Sequence, residues 1–226
     1  MNILCTVCAR SGSKGLKNKN LLKIKNKSLI DHALDQALKV KKIDKIVFSS
    51  DIKNIKEKKN TKIYYLSRPD SLSGDRVSKL DVIRHATKLS EKYFKKEFQI
   101  ILDLDVSSPL RNISDIKKCI NMFKKSRTNN LVTICQARKN PYFNMLEKKG
   151  KNFFLAKKSS KIYKSRQEAP KVYEMNASIY IWKKKYLFSS NNLIAKKTSF
   201  YEMPYDRSID IDNKYDFKIV KLFIKK

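Results

Sequence analysis

The chain has 226 residues, 41% of them hydrophobic, with a formal net charge of +31. That is enough apolar material for one full core and a single domain spanning 1–226. No apolar run reaches the roughly 20 residues of a membrane helix, and the opening MNILCTVCAR is short and lacks a cleavage pattern, so a soluble cytoplasmic protein without a signal peptide is expected. Residues 2–9 read as a buried strand. Ser28 is placed to cap a helix that carries Leu29, Ala33, Leu34, Ala37 and Leu38 on one face. KIVFSS (45–50) and KIYYLS (62–67) read as strands, and residues 75–94 as a helix through Leu80, Ile83, Ala86 and Leu89. QIILDLDV (99–106) is the next strand, followed by a loop with Pro109, a helix near 114–125 and a strand at 131–137. The pattern breaks over 138–172, where aromatic residues, short β-like pieces and turn residues fit a protruding hairpin segment. A core strand at 177–184 and an amphipathic helix from Tyr215 close the chain.

Strands alternating with helices predict an α/β fold: a mostly parallel central sheet covered by helices on both faces. In such sheets the ligand crevice lies beyond the carboxyl ends of the strands. Three polar clusters fall there, at 10–20, around Asp51 and at 105–111.

The positive charge suits a polyanion, whether nucleic acid, an anionic membrane or a phosphorylated small molecule. The lysines are scattered, however, and Lys, Asn and Ile are abundant while glycine numbers only four, a joint bias of composition. No basic helix, RNP motif or zinc finger supports nucleic-acid binding. Cys5 and Cys8 form a C-x-x-C, but on a strand this spacing turns the two thiols to opposite faces. With Cys119 and Cys135 they read as buried thiols, not as a zinc or disulfide framework.

The loop ARSGSKGLKNKN (9–20), rich in small and basic residues after a strand, can direct backbone N–H groups and side-chain cations at phosphates. It matches neither the P-loop nor G-x-G-x-x-G. It resembles the signature loop of the acylneuraminate cytidylyltransferases, Ala-Arg-x-x-Ser-Lys-Gly and then Lys-Asn, through Ala9, Arg10, Ser13, Lys14, Gly15, Lys19 and Asn20. Four further stretches resemble the same family in order: SRPDSLSGD (67–75), DVSSPLR (105–111), NASIYIWKK (176–184) and SIDIDNKYDF (208–217).

The resemblance implies a Rossmann-like nucleotidyltransferase that joins CTP to a nine-carbon sugar acid of the sialic acid type and releases pyrophosphate. Legionaminic, pseudaminic or Kdo-type acids are alternatives. It implies Arg10, Ser13, Lys19, Asn20 and Arg68 as nucleotide binders, with Arg10, Lys19 and Asp212 at the chemistry. Asp105, Ser108, Arg111, Arg166, Asn176 and Tyr180 would meet the sugar, and Asp210 and Asp212 would hold Mg²⁺. From spacing alone, Asp212 could instead cap the last helix. The resemblance also implies a homodimer built through 138–172. Two departures stand out: Asp105 where the family commonly has Gln, and Ala177 where it has Gly.

Overall fold

In the computed structural model, which describes residues 1–12 and 15–224, the first apolar run forms β1 (Ile3–Ala9), buried along nearly its whole length. Its odd-numbered side chains Ile3, Cys5, Val7 and Ala9 face one layer of the core, and Leu4 faces the other. Cys5 and Cys8 accordingly lie on opposite faces, and all four cysteines are free thiols. A small ribbon, β2 (Lys23–Ile24) and β3 (Lys27–Ser28), leads into α1 (Leu29–Leu38). The cap is reciprocal: the Ser28 hydroxyl accepts from the Asp31 N–H, and the Asp31 carboxylate accepts from the Ser28 N–H.

β4 (Lys45–Ser50) and β5 (Ile63–Ser67) follow, then α2 (Lys79–Phe94). The helix expected from residue 75 begins at 79, because Ser78 takes up the cap by accepting from the Leu80 N–H. β6 (Ile100–Leu104) is followed by α3 (Ile113–Lys125), which Asn112 and Asp115 cap reciprocally. β7 (Asn130–Gln136) precedes the hairpin β8 (Leu146–Lys149) and β9 (Asn152–Leu155), exposed throughout. β10 (Tyr173–Lys183), α4 (Lys184–Ser189), β11 (Thr198–Glu202) and α5 (Lys214–Phe223) complete the chain. No helix among the described residues is long and apolar enough to cross a membrane.

The seven-stranded sheet runs β11-β7-β10-β6-β1-β4-β5. β10 is antiparallel to both its neighbours and every other pairing is parallel, so the expected mostly parallel sheet is found. α1 and α3 supply the core on one face, together with Val220 of α5, while α2 and α4 supply the other. β1, β4 and β6 all end at one edge, and their next residues are Arg10, Asp51 and Asp105.

Candidate active site

A cleft of about 460 Å³ opens at that edge, lined among others by Arg10, Lys19, Arg68, Lys79, Asp105 and Asp212. The opening loop is fastened at several points. The Ser11 N–H and hydroxyl donate to the Asp51 carboxylate at 2.9 and 2.6 Å, and Asn20 Nδ2 donates to the Arg10 carbonyl at 2.9 Å. A Cβ on Gly15 would stand 2.2 Å from the Asp212 carbonyl oxygen, so only glycine lets the loop lie this close to the C-terminal segment. Arg10 Nη1 lies 2.8 Å from Asp75 Oδ1, and Lys19 Nζ lies 3.1 Å from Asp212 Oδ1. Ser13 falls outside the described residues.

Arg68 is buried and ties two strand ends together. Its Nη2 donates to the Ala9 carbonyl at 2.9 Å and to the Ser49 carbonyl at 2.6 Å. The nucleotide role implied for it is thereby joined to a bracing role that no motif announced.

The segment carrying Asp210 and Asp212 is held by α3 and the 105–111 loop. Arg207 grips Asp115 through two parallel bonds of 3.0 and 2.9 Å, and the Ile211 N–H donates to the Ser107 carbonyl at 3.0 Å. Ile211 is buried, Asp210 is bonded by the Ser108 hydroxyl, and Asp212 is exposed. The cap of α5 is Asn213, whose Oδ1 accepts from the Tyr215 and Asp216 N–H groups, so Asp212 has no capping duty. Burial raises the Asp210 carboxyl to about 7. The Ser108 hydrogen bond opposes that rise, and the nearby charges of Asp105 and Asp212 add to it. A divalent cation would relieve this crowding of anions. Among the described residues no three His, Cys, Asp or Glu side chains converge on a metal position. Two carboxylates still suit Mg²⁺, which takes one or two from protein and fills its shell with phosphate oxygens and water.

Several residues that the resemblance implies would meet the sugar are not among those lining this cleft. Arg111 is 1% exposed, and its Nη1 donates to the Asp105 and Ser178 carbonyls at 2.6 and 3.1 Å. Ser108 is buried between Asn176 and Asp210. Tyr180 is a core side chain stacked on Trp182, with ring centres 5.5 Å apart. Asn176 is buried with its amide on Ser208 and borders a separate hollow beside Asp210. Arg166 is exposed at another hollow, next to Asn140 and Pro170 and away from the cleft of the same chain.

Asp105 poses a difficulty already visible in the sequence, a carboxylate where the resemblance implies an anionic substrate. The answer is Lys79, at the first turn of α2, with its ammonium 2.8 Å from Asp103 Oδ2 and 2.6 Å from Asp105 Oδ2. Although burial opposes ionisation of both partners, the two carboxylates hold the ammonium well above its ordinary pKa. Lys79 and the Ser107 hydrogen bonds hold Asp105 well below the usual carboxylate range.

The sequence pattern of the family described as cytidylyltransferase matches residues 4–223. The chain belongs to the cytidylyltransferase family. As a cytidylyltransferase it is a nucleotidyl-transfer enzyme, which sets aside the reading of a basic nucleic-acid-binding protein. It is 41% identical to the CMP-N,N'-diacetyllegionaminic acid synthase of Campylobacter jejuni, over 98% of this chain and 94% of that one. It is 40% identical to the post-translational flagellin modification protein B of Campylobacter coli, over 99% and 95%. A solved cytidylyltransferase structure, the 2-C-methyl-D-erythritol 4-phosphate enzyme of Francisella tularensis, superposes with a TM-score of 0.71 at 13% identity, covering 99% of this chain and 100% of that one. At that identity the likeness concerns the fold.

Proposed function

We propose that this cytidylyltransferase transfers CMP from CTP to the anomeric hydroxyl of a nine-carbon sugar acid and releases pyrophosphate. The observation that carries the reading is the meeting of Arg10 and Lys19 with Asp212 at one cleft, phosphate-binding cations beside a carboxylate suited to a hard metal. The anomeric oxygen forms a bond to the α-phosphorus as the bond to the pyrophosphate oxygen breaks in line. Arg10 and Lys19 exchange their carboxylate partners for phosphate oxygens and neutralise the triphosphate. Asp210 and Asp212 would hold Mg²⁺, which supplies further charge neutralisation when bound. The resemblance to a diacetyllegionaminic acid synthase over nearly the full length favours an acid of that type over other nine-carbon acids. Pyrophosphate release measured with CTP and a panel of nine-carbon acids and Kdo tests the reading. Release with none of the acids would defeat it.

The enzyme works as a homodimer in this reading, through the segment 138–172. Leu146, Phe153, Phe154 and Leu155 present an apolar hairpin surface to solvent, and Phe153 is 61% exposed. Tyr142 and Tyr163, by contrast, pack edge to face at 6.1 Å and steady the base of the segment. A large apolar patch on a protruding hairpin suits a two-fold partner. The position of Arg166 outside its own cleft is compatible with service in the partner's site.

A further inference from the structure

Lys79 and Asp105 are placed to act as one unit. Lys79 donates one hydrogen bond to Asp105 Oδ2 and forms an ion pair with Asp103 Oδ2 at 2.8 Å, which leaves at least one N–H donor on a side chain 38% exposed at the cleft. Lys79 Nζ also stands 5.0 Å from the centre of the Tyr180 ring, which walls it on the core side. Asp105 Oδ1 accepts from the Ser107 N–H at 2.9 Å and from its hydroxyl at 2.8 Å. Among the described residues Oδ2 accepts only the Lys79 bond, so it retains an acceptor site on a side chain 25% exposed. Asp103 is wholly buried; its Oδ1 is taken by the Thr6 hydroxyl at 2.6 Å and its Oδ2 faces the ammonium.

The cleft therefore meets one charged donor and one charged acceptor side by side. A phosphate or carboxylate can use the donor but is repelled by Asp105. A hydroxyl uses both, accepting from Lys79 while donating to Asp105. We propose that Lys79 and Asp105 form a hydroxyl-reading pair, which takes a hydroxyl of the sugar acid or of the CTP ribose. The identity of those two ligands rests on the function proposed above. The pair does the work of one amide with two side chains, which explains how an acidic residue can stand where a neutral one is common in the family. Because its free edge is satisfied only by a group that both donates and accepts, the pair discriminates hydroxyl-bearing ligands from deoxy analogues.

The experiment compares wild type with K79M, D105A and K79M/D105N, reading KM for CTP and for the acid separately. Loss of a charge-assisted hydrogen bond should raise KM for the hydroxyl-bearing substrate about tenfold or more, with the other KM within about twofold. A rise confined to the acid places the hydroxyl there. A rise confined to CTP places it on the ribose, and dCTP should then bind wild type and K79M alike. K79M/D105N, whose amide again offers donor and acceptor, should recover most of the K79M loss, which a merely structural lysine would not allow. Unchanged KM values in K79M, or a double variant no better than K79M, overturn the proposal. If K79M fails to fold with Asp103 unpaired, D105A carries the test, since Lys79 keeps Asp103 there. Calorimetric Kd values for CTP and for the acid with D105A decide the matter without turnover: a weakened Kd for one ligand supports the pair, and two unchanged values overturn it. Wild type inactive on every acid would defeat the substrate reading; an active wild type with unaffected variants would defeat the pair.

Discussion

Lys19 Nζ and Asp212 Oδ1 are 3.1 Å apart across 193 positions of sequence. Asp212 is 77% exposed, so the pair contributes little to stability and its ammonium is free to change partner. The same holds for Arg10 and Asp75. R10A and K19A should each cripple CTP turnover, since each removes a charge-assisted phosphate contact of roughly 1.5–3 kcal/mol. Thermal unfolding should barely change. Near-normal turnover in both variants would remove the loop from the mechanism.

Asp212→Asn should abolish Mg²⁺-dependent activity, and Asp210→Asn should do the same or somewhat less, because an amide oxygen is the weaker ligand for a hard cation. The check is turnover titrated with Mg²⁺ and with EDTA. Full activity in excess EDTA contradicts the metal assignment.

Asp210 also predicts a pH dependence of stability. Its folded pKa, about 7, lies above its ordinary 3.8, so the folded state holds the proton more tightly. The associated stabilisation is complete below the ordinary value and is lost as pH rises through about 7. D210N removes that loss. Its melting temperature should exceed that of wild type at about pH 8 and not at about pH 4. An equal shift at both values would show that burial and its neighbours do not raise this carboxyl.

Ala177 has φ 48°, in the left-handed region, where the ladder between β10 and β7 shifts register between Met175 and Tyr180. An alanine there is strained and a glycine is not. A177G should stabilise the fold by about 1 kcal/mol, read by urea denaturation. A destabilised variant would mean that the bulge does not need this conformation.

The protein should run as a dimer by light scattering at micromolar concentration, and replacing Phe153 and Phe154 by Ser should shift it toward monomer. Mixed R166A and R10A subunits should regain some activity, because one site of the mixed dimer is then intact. No recovery despite confirmed subunit exchange would place Arg166 in its own subunit's site or outside the chemistry.

Much of the fold is legible in the sequence because its signals are local. Buried strands announce themselves as apolar runs, and Ser28 and Asp31 or Asn112 and Asp115 spell their helix starts. β11 escapes such a reading, since TSFYE is a half-exposed edge strand with little alternation, and α4 is too short for periodicity. A helix start at 75 is too early because Asp75 belongs to the cleft wall. In the site, the loop and both aspartates of DID are readable from their motifs. Arg111 is not readable as a buried strut, because a strand-end arginine looks the same whether it faces ligand or core. Lys79 is hidden among 52 basic residues, and only its pairing with Asp103 and Asp105 sets it apart.

The union of Lys19 with Asp212 also bears on how the enzyme is made. A ribosome delivers Arg10 and Lys19 first and Asp210 and Asp212 some two hundred residues later. By the end of β11 at Glu202 every strand of the sheet has been synthesised, yet neither aspartate has emerged. A nascent or prematurely terminated chain could therefore complete its sheet while lacking the carboxylates proposed to hold the metal. Nucleotide chemistry would begin only once the segment carrying Asp210 and Asp212 has been added.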